Sequence, residues 1–185
     1  MTIHINSITL LKPLVAADAE NLFSLTDQHR DYLKQWLPWL DMTQDVSDTC
    51  KYIETAIEDQ KKFKSYIYGI WHENVLAGVI SLQNINMLNR SANIGYWVAE
   101  NFSGRGLGKL ATRNLVAHTF TNLKLNRIEI RCATGNLRSQ NIPVKLGFSF
   151  EGVSKQAEWL YNHFVDHKVY SLLQKDWCEM DWSVF

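Results

Sequence analysis

The chain has 185 residues, a length for one domain or at most two very small ones, and enough to bury a sizeable core. Hydrophobic residues make up 46% of it, with only 9 Gly and 3 Pro, which excludes collagen-like, low-complexity and disordered proteins. Lys plus Arg and Asp plus Glu number 19 each, so charge gives no reason to expect a nucleic acid or an anionic membrane as the main partner.

Targeting and redox features are also weak. The longest apolar runs are about as long as residues 75–80, far short of the roughly 20 residues of a membrane helix, and residues 1–10 alternate instead of forming a signal-peptide core. Cys50, Cys132 and Cys178 are widely spaced and form no C-x-x-C pair. We therefore expect one domain over residues 1–185, in the cytoplasm, with no bound metal.

Hydrophobic periodicity divides the first half of the chain into strands and helices. Asp45 or Ser47 can cap the second helix. The Pro-broken turn before it contains Trp36 and Trp39, whose indoles belong either to the core or to a substrate wall. In order, we predict a strand over residues 3–11, helices over 17–33 and 47–64, and a hairpin of strands over 66–71 and 75–82.

The second half predicts a parallel crossover followed by a hairpin. Its elements are a strand over 93–99, a helix over 106–123, a strand over 127–133, a short helix over 139–146 that ends at Gly147, and strands over 153–161 and 164–173. The fold class is therefore α+β, with a mixed sheet of about seven strands, one parallel pair in its middle and about four helices.

Three glycines precede the long helix of the crossover. Gly104, Gly106 and Gly108 stand at alternate positions, so backbone N–H groups can approach an anion where the helix N-terminus adds about half a positive charge. Arg105 and Lys109 can add further charge. The stretch predicts a phosphate-binding loop, and the alternative is a glycine-rich turn that merely starts a helix.

Two known nucleotide motifs fit this loop poorly. A P-loop would place its first glycine at Ser103 and its magnesium-binding hydroxyl at Leu110, and neither residue suits. Gly106, Gly108 and Ala111 satisfy the dinucleotide pattern G-x-G-x-x-A, but residues 100–103 intervene between the strand and the glycine loop, and the chain is too short for two mononucleotide halves and a substrate domain. A dehydrogenase is therefore an unfavoured second choice.

The loop instead resembles that of the GNAT N-acetyltransferases, which read [Q/R]-x-x-G-x-[G/A] at this place and which it matches except at the first position, Ser103. Further motifs occur in the family's order, and the similarity, nearest to the RimJ/RimL branch that acetylates ribosomal-protein N-termini, covers about residues 9–177. The further motifs are Ile94-Gly95-Tyr96-Trp97, Asn136-Leu137-Arg138-Ser139, Leu146-Gly147-Phe148 and Glu151-Gly152.

This resemblance implies a GNAT fold whose central parallel strands splay apart, with acetyl-CoA as co-substrate. In the family the pantetheine arm lies in the gap and pairs with backbone near Trp97 and Val98, while Asn136 hydrogen-bonds the arm. The implied pyrophosphate-binding residues are Ser103, Gly104, Arg105, Gly106, Leu107, Gly108 and Lys109.

Ser139 is implied as the catalytic hydroxyl that meets the leaving sulfur. CoA leaves as a thiolate whose conjugate thiol has a pKa of about 8.5, like that of Cys. A nearby O–H can share a proton with the sulfur or return one to it. The alternative is that Ser139 only caps a helix. Direct transfer needs no covalent enzyme intermediate, so Cys132 is interpreted as a core residue in preference to an acyl-cysteine.

The general base departs from the family pattern. Many relatives carry Glu two residues before the Gly-Tyr pair, and here that position is Asn93, which cannot accept a proton. We therefore expect no dedicated carboxylate base. The remaining titratable residues near the relevant elements, none at a family position, are His72, Glu73, Glu100 and His118.

The acceptor side is only weakly specified. Glu158 and Asp166 either meet a substrate ammonium or are solvated strand charges. The aromatic residues that either line a peptide channel or fill the core are Trp36, Trp39, Tyr161 and Tyr170.

The sequence thus predicts an acetyl-CoA-dependent N-acetyltransferase acting on a primary amine. A protein N-terminus, such as that of a ribosomal protein, is the first choice of acceptor, with polyamines and aminoglycosides as other acceptors. The rival class is a CoA-binding module or sensor with little catalysis. The family also suggests a homodimer.

Overall fold

The computed structural model describes residues 1–179, whose backbone forms a mixed eight-stranded sheet. The strands are β1 (Ile3–His4), β2 (Thr9–Pro13), β3 (Tyr66–His72), β4 (Val75–Asn86), β5 (Ser91–Val98), β6 (Arg127–Ala133), β7 (Ser149–Leu160) and β8 (His163–Leu173). The helices are α1 (Ala19–Gln28), α2 (Arg30–Lys34), α3 (Val46–Lys61), α4 (Leu107–Thr121), α5 (Leu137–Lys145) and α6 (Gln174–Glu179). Short 3-10 turns lie at Ala16–Asp18, Leu40–Met42 and Glu100–Phe102.

The strand order is β1-β2-β3-β4-β5-β6-β8-β7, and β5 with β6 is the parallel pair. Their ladder starts at Ser91 opposite Arg127 and ends at Asn93 opposite Glu129, after which no further pairs form. Both strands nevertheless continue, since β5 pairs with β4 as far as Val98 and β6 pairs with β8 through the whole of Arg127–Ala133. The two central strands therefore splay apart, as the resemblance implied.

Helices cover both faces of the sheet. On one face α4 and α5 close a core that includes Leu115, Ile128 and Ile130, all almost completely buried. On the other face α1 and α3 close a second cluster around Ile53 and Ala99. Because the central strands β3 and β4 contribute apolar side chains to both clusters, the middle of the sheet is held between two helical layers.

The fold class is confirmed, and the first predicted strand and helix each divide in two. The strand predicted over residues 3–11 is a hairpin, because Asn6 Oδ1 accepts a hydrogen bond from Ile8 N (3.0 Å) and turns the chain. The helix predicted over 17–33 breaks at His29 into α1 and α2. Arg30, the first residue of α2, donates hydrogen bonds to the carbonyls of Leu40 (2.6 Å) and Thr43 (2.8 Å). The sheet therefore has eight strands, one more than expected.

Several local signals are confirmed. Asp45, and not Ser47, caps α3, since its side chain accepts from the backbone of Ser47 and Asp48. Glu73 and Asn74 have φ of 52° and 63° in the β3–β4 turn. Gly147 follows α5 with φ of 74°.

Among residues 1–179 no helix is long and apolar enough to cross a bilayer.

Gly78 allows β4 and β5 to approach closely beside the splay. A Cβ at this position would overlap the carbonyl oxygen of Trp97 and lie 2.8 Å from Val98 Cα. Gly95 on β5 differs, because a Cβ there would meet only Ser81 Oγ at 3.5 Å and Gln83 Nε2 at 3.9 Å. The position of the end of β5 therefore depends on the missing side chain of Gly78.

We expect Gly78→Ala to lower the free energy of unfolding by about 1–3 kcal/mol, because backbone atoms must move to admit the methyl group. Gly95→Ala is the matched control and should change it by less than about 1 kcal/mol. Urea unfolding of both variants measures the difference. Equal stabilities of the two would contradict the close approach.

Candidate active site

The glycine loop leaves the first turn of α4 open to an anion. Gly106 is the N-cap, with φ of 76°, and no side chain caps the helix. The amides of the first turn of an α-helix have no partner within the helix, so α4 itself does not use these N–H groups. A Cβ built on Gly104 or Gly106 would meet nothing within 4 Å, so the loop has open space on its outer side. Both the backbone and the space suit a phosphate.

The other predicted loop residues differ in what they can offer. The guanidinium of Arg105 lies 5.3 Å from the centre of the Phe102 ring and is exposed. Leu107 is 3% exposed, so only its backbone can face a ligand. A Cβ on Gly108 would lie 3.0 Å from Ile142 Cδ1, so this glycine also permits α4 to pack closely on α5. Lys109 is half-buried in the first turn of α4.

Arg138 also reaches this loop, and the sequence analysis had given it no role. Its Nη1 lies 3.4 Å from Ser103 Oγ, which Tyr32 OH approaches at 3.5 Å from the other helical layer. Ser103 occupies the position where the family pattern has Gln or Arg. The first turn of α5 therefore brings a guanidinium to Ser103, and the available sequence signal was the place of Arg138 in the motif Asn136-Leu137-Arg138-Ser139.

The gap between the parallel strands adjoins the loop. Trp97 and Val98 lie beyond the last β5–β6 pair, so the backbone groups on that edge of β5 have no partner on β6. The same holds for β6 from Ile130 to Ala133. Buried N–H and C=O groups without partners are costly, and an extended ligand with amides can satisfy them. The predicted position of the pantetheine arm fits this gap.

Ser139 is not the N-cap of α5. Asn136 has that role, because its Oδ1 accepts a hydrogen bond from Ser139 N (3.0 Å). The hydroxyl of Ser139 is thus available, and it lies 3.2 Å from Cys132 Sγ and 3.3 Å from Tyr96 OH. The oxygen of the Asn136 carboxamide accepts the capping bond, and its NH2 group can donate to a ligand carbonyl.

Cys132 belongs to the core on the α4–α5 face of the sheet and is only 4% exposed. Burial raises the pKa of its thiol, and the hydrogen bonds with Ser139 and Tyr96 only partly oppose this. A reactive cysteine needs the reverse, a thiol with a lowered pKa in an accessible place. The environment of Cys132 therefore favours a packing role.

The two indoles of the predicted turn lie at the open end of the gap. Trp39 packs against Trp97 of β5 with ring centres 6.4 Å apart. Trp36 lies beside the second residue after β6, since a Cβ on Gly135 would be 3.6 Å from its ring. Tyr161, in the β7–β8 turn, donates to Leu37 O (2.6 Å). Half-buried aromatic side chains from three parts of the chain thus surround this mouth.

Tyr170 is not part of the mouth. It is 5% exposed and packs in the core against Phe150, with ring centres 5.7 Å apart. Asp166 binds Lys155 Nζ (2.8 Å) and Gln156 N (2.8 Å), which identifies it as a hairpin residue. Glu158 instead lies 3.4 Å from His167 Nε2, on the strand that pairs with the end of β6.

None of the titratable residues considered as a general base lies on β5 at the position of Asn93. His72 Nδ1 bonds Thr9 Oγ1 (2.9 Å), Glu73 lies in the β3–β4 turn, and Glu100 in the 3-10 turn after β5. Burial lowers the pKa of His118, which lies on α4.

Asn93 occupies the last paired position of β5, opposite Glu129. That carboxylate already contacts the guanidinium groups of Arg127 (2.9 Å) and Arg131 (2.6 Å). Both carboxylate oxygens of Glu129 are therefore already engaged by guanidinium groups. Within residues 1–179 no group of three His, Cys, Asp or Glu side chains could hold a metal ion.

Comparison with known proteins gives consistent matches. The acetyltransferase (GNAT) domain model matches residues 9–149. The Bacillus subtilis (strain 168) protein YdaF, whose name assigns it provisionally to ribosomal N-acetylation, is 34% identical over 180 residues, 95% of this chain and 97% of its own. The ribosomal-protein-serine acetyltransferase of Escherichia coli (strain K12) is 30% identical over 92% of this chain and 95% of its own. A structure of the ribosomal L7/L12 alpha-N-protein acetyltransferase RimL with coenzyme A superposes with a TM-score of 0.91 at 26% identity, over 95% of this chain and 99% of that one.

The open first turn of α4 predicts that Gly106→Asp weakens acetyl-CoA binding by about two to three orders of magnitude. Two like charges about 4 Å apart near a surface repel by about 4 kcal/mol. Gly106→Asn is the control, because it has the same shape and the same positive φ without the charge, and it should bind at least tenfold more tightly than the aspartate variant. Calorimetry measures both, and equal affinities would contradict phosphate binding at this turn.

Proposed function

The chain belongs to the GNAT acetyltransferase family, and we propose that it transfers acetyl from acetyl-CoA directly to the α-amino group of a protein N-terminus, such as that of a ribosomal protein. The observation behind the donor half is the β5–β6 ladder that ends at Asn93 opposite Glu129 and adjoins an uncapped helix start. The observation behind the acceptor half is the aromatic mouth around Trp36, Trp39 and Tyr161.

In this proposal three parts of the chain hold acetyl-CoA. The first-turn amides of α4 and the loop from Ser103 to Lys109 bind the pyrophosphate, and Arg138 adds a guanidinium beside Ser103. The unpaired edge of β5 at Trp97 and Val98 binds the pantetheine amides. The NH2 group of Asn136 donates to a carbonyl of the same arm.

Chemistry then requires an amine, a thioester and a hydroxyl in one place. The neutral amine attacks the thioester carbon, whose oxygen gains negative charge that a fixed N–H of the β5 edge can stabilise. The attacking nitrogen loses a proton to water, the tetrahedral intermediate collapses with cleavage of the carbon–sulfur bond, and Ser139 donates a hydrogen bond to the departing thiolate. Proximity supplies much of the rate, so no acyl-enzyme is required.

The charges around the mouth favour a peptide over a polycation. Asp41 contacts Lys34 Nζ at 2.6 Å, Asp166 contacts Lys155, and Glu158 contacts His167. Each of these carboxylates is therefore already paired with a basic group. Polyamines and aminoglycosides carry several positive charges and need several unpaired carboxylates. An extended peptide end needs an apolar wall, which the indoles provide.

A panel of amines tests the acceptor class. We expect turnover with N-terminal Ser and Ala peptides, no turnover when the same peptides carry a blocked N-terminus and a lysine, and weak turnover of spermidine and kanamycin. Mass spectrometry locates the acetyl group. A higher kcat/KM for spermidine than for every peptide would assign a small-amine acetyltransferase. Tight acetyl-CoA binding without any acetylated amine would support a sensor.

Ser139→Ala should lower kcat by roughly ten- to a thousandfold and leave the Kd for acetyl-CoA within a few-fold, the pattern of an interaction formed in the transition state. Because Asn136 caps the backbone of Ser139, alanine keeps the cap and the helix. Asn136→Ala is the contrasting variant and should lose about 0.5–2 kcal/mol of stability with the cap. A normal kcat in folded Ser139→Ala would exclude the catalytic role.

The pH dependence should follow the substrate. With Asn93 in place of glutamate, only the neutral fraction of an α-amine with a pKa near about 8 reacts, so kcat/KM rises with pH up to that pKa. The apparent pKa should then move when a peptide with a more basic amine is used. A single apparent pKa common to both amines, lost in Glu158→Gln or His167→Asn, would instead locate a general base in that pair.

A further inference from the structure

The phenol of Tyr96 joins the two splayed strands to the first turn of α5. The β5–β6 ladder ends at Asn93 opposite Glu129, so three residues further along each strand Tyr96 lies level with Cys132. Tyr96 OH lies 2.8 Å from Ser139 O, and Ser139 Oγ approaches both Tyr96 OH and Cys132 Sγ. Ser139 is therefore held between one side chain from each strand.

Pro143 explains why the Ser139 carbonyl accepts this bond. In an α-helix the carbonyl of residue 139 would accept from the N–H of residue 143. That residue is Pro143, inside α5, and proline has no N–H. Tyr96 OH donates to the carbonyl that the proline leaves open. Asn136 holds the N–H of the same residue, so both backbone groups of Ser139 are fixed by side chains.

The direction of these hydrogen bonds allows the hydroxyl of Ser139 to rotate toward a new acceptor. Since the only proton of the phenol points to Ser139 O, the phenol oxygen can only accept from Ser139 Oγ. The resting contact of that hydroxyl with the phenol oxygen, at 3.3 Å, is long compared with the usual O–H···O separation of about 2.7–2.8 Å, and its other partner, Cys132 Sγ at 3.2 Å, is a weak acceptor. A hydroxyl with weak partners loses little when it turns to a thiolate, which is a stronger acceptor.

Both neighbours of the serine hydroxyl are neutral. Burial raises the pKa of Tyr96 well above its ordinary value, with Cys132 adding to the effect, so the phenol stays neutral. Burial likewise keeps Cys132 a thiol. The hydroxyl of Ser139 therefore has no anionic neighbour in this cluster that would compete with a thiolate for its hydrogen bond.

We propose that Tyr96 is a positioning residue that fixes Ser139 for the departing CoA thiolate, with Pro143 supplying the open carbonyl that makes this possible. The inference rests on the proposed function insofar as Ser139 meets the thiolate. It adds a residue that acts only through Ser139 and touches neither acetyl-CoA nor the amine.

A double-mutant cycle with Ser139 tests the hydroxyl half. Tyr96→Phe should lower kcat about three- to thirtyfold and leave the Kd for CoA within a few-fold. In the Ser139→Ala background the same change should lower kcat by less than about twofold, because the hydroxyl that Tyr96 positions is gone. Tyr68→Phe, which removes a phenol hydroxyl of the same core two strands away, should leave kcat unchanged. Equal losses in both backgrounds, or no loss, would overturn the proposal.

A second cycle with Pro143 tests the carbonyl half through folding. Tyr96→Phe should raise the unfolding equilibrium constant about fivefold or more in the native chain, and clearly less in Pro143→Ala, where a helical N–H replaces the phenol. If Tyr96→Phe alone does not fold, Pro143→Ala should restore folding. Equal destabilisation in the two backgrounds, or no rescue, would contradict the arrangement.

Bound CoA gives a readout that needs no acceptor amine. A hydrogen bond from Ser139 lowers the pKa of the bound thiol, so Ser139→Ala should raise it and Tyr96→Phe should raise it part of the way, as measured by thiolate ultraviolet absorbance. If the wild-type protein acetylates no amine in the panel, the proposed function fails while this titration and the folding cycle still decide on Tyr96. A bound-thiol pKa that is unchanged in both variants would exclude the hydroxyl contact.

Discussion

The separation of β5 from β6 after three paired residues determines the rest of the site. Each strand is held on its outer side, β5 by β4 as far as Val98 and β6 by β8 as far as Ala133, so neither can close the gap. An unmade buried hydrogen bond costs about 1–3 kcal/mol. The fold therefore keeps a slot of unpaired backbone, and a ligand with amides that fills it recovers part of that cost.

Both helices that serve the site begin at this same end of the sheet. In a parallel pair the carboxyl ends of the strands lie side by side, so the connections after β5 and β6 emerge together. The first leads through Gly106 into α4, and the second through Asn136 into α5. One helix start is left uncapped for an anion. The other is capped by a side chain, and this frees the hydroxyl of Ser139 from a structural task.

The crossover could be predicted from sequence because its signals are local. The turn chemistry of Gly106 and Gly147 and the alternation of β6 each depend on neighbouring residues, and the structure agrees with them. Contacts between distant residues could not be predicted. The break at His29 depends on carbonyls ten and more residues beyond Arg30, and the contact of Arg138 with Ser103 joins two motifs 35 residues apart. Tyr96 stood in a recognised motif, but its partner became clear only from register and from the missing N–H of Pro143.

The proposed donor and acceptor sides of the site differ in how the chain builds them. The donor side is nearly continuous, from β5 through α5, and it lies wholly within the matched domain at residues 9–149. The acceptor mouth combines the turn at Trp36 and Trp39 with the β7–β8 hairpin, whose Glu158, Tyr161 and His167 lie beyond that match. A shared reaction with acetyl-CoA needs a constant donor side. Choice among acceptors needs a part that can vary, and a hairpin tied to the site by the Tyr161–Leu37 bond can change its side chains without disturbing the splayed strands.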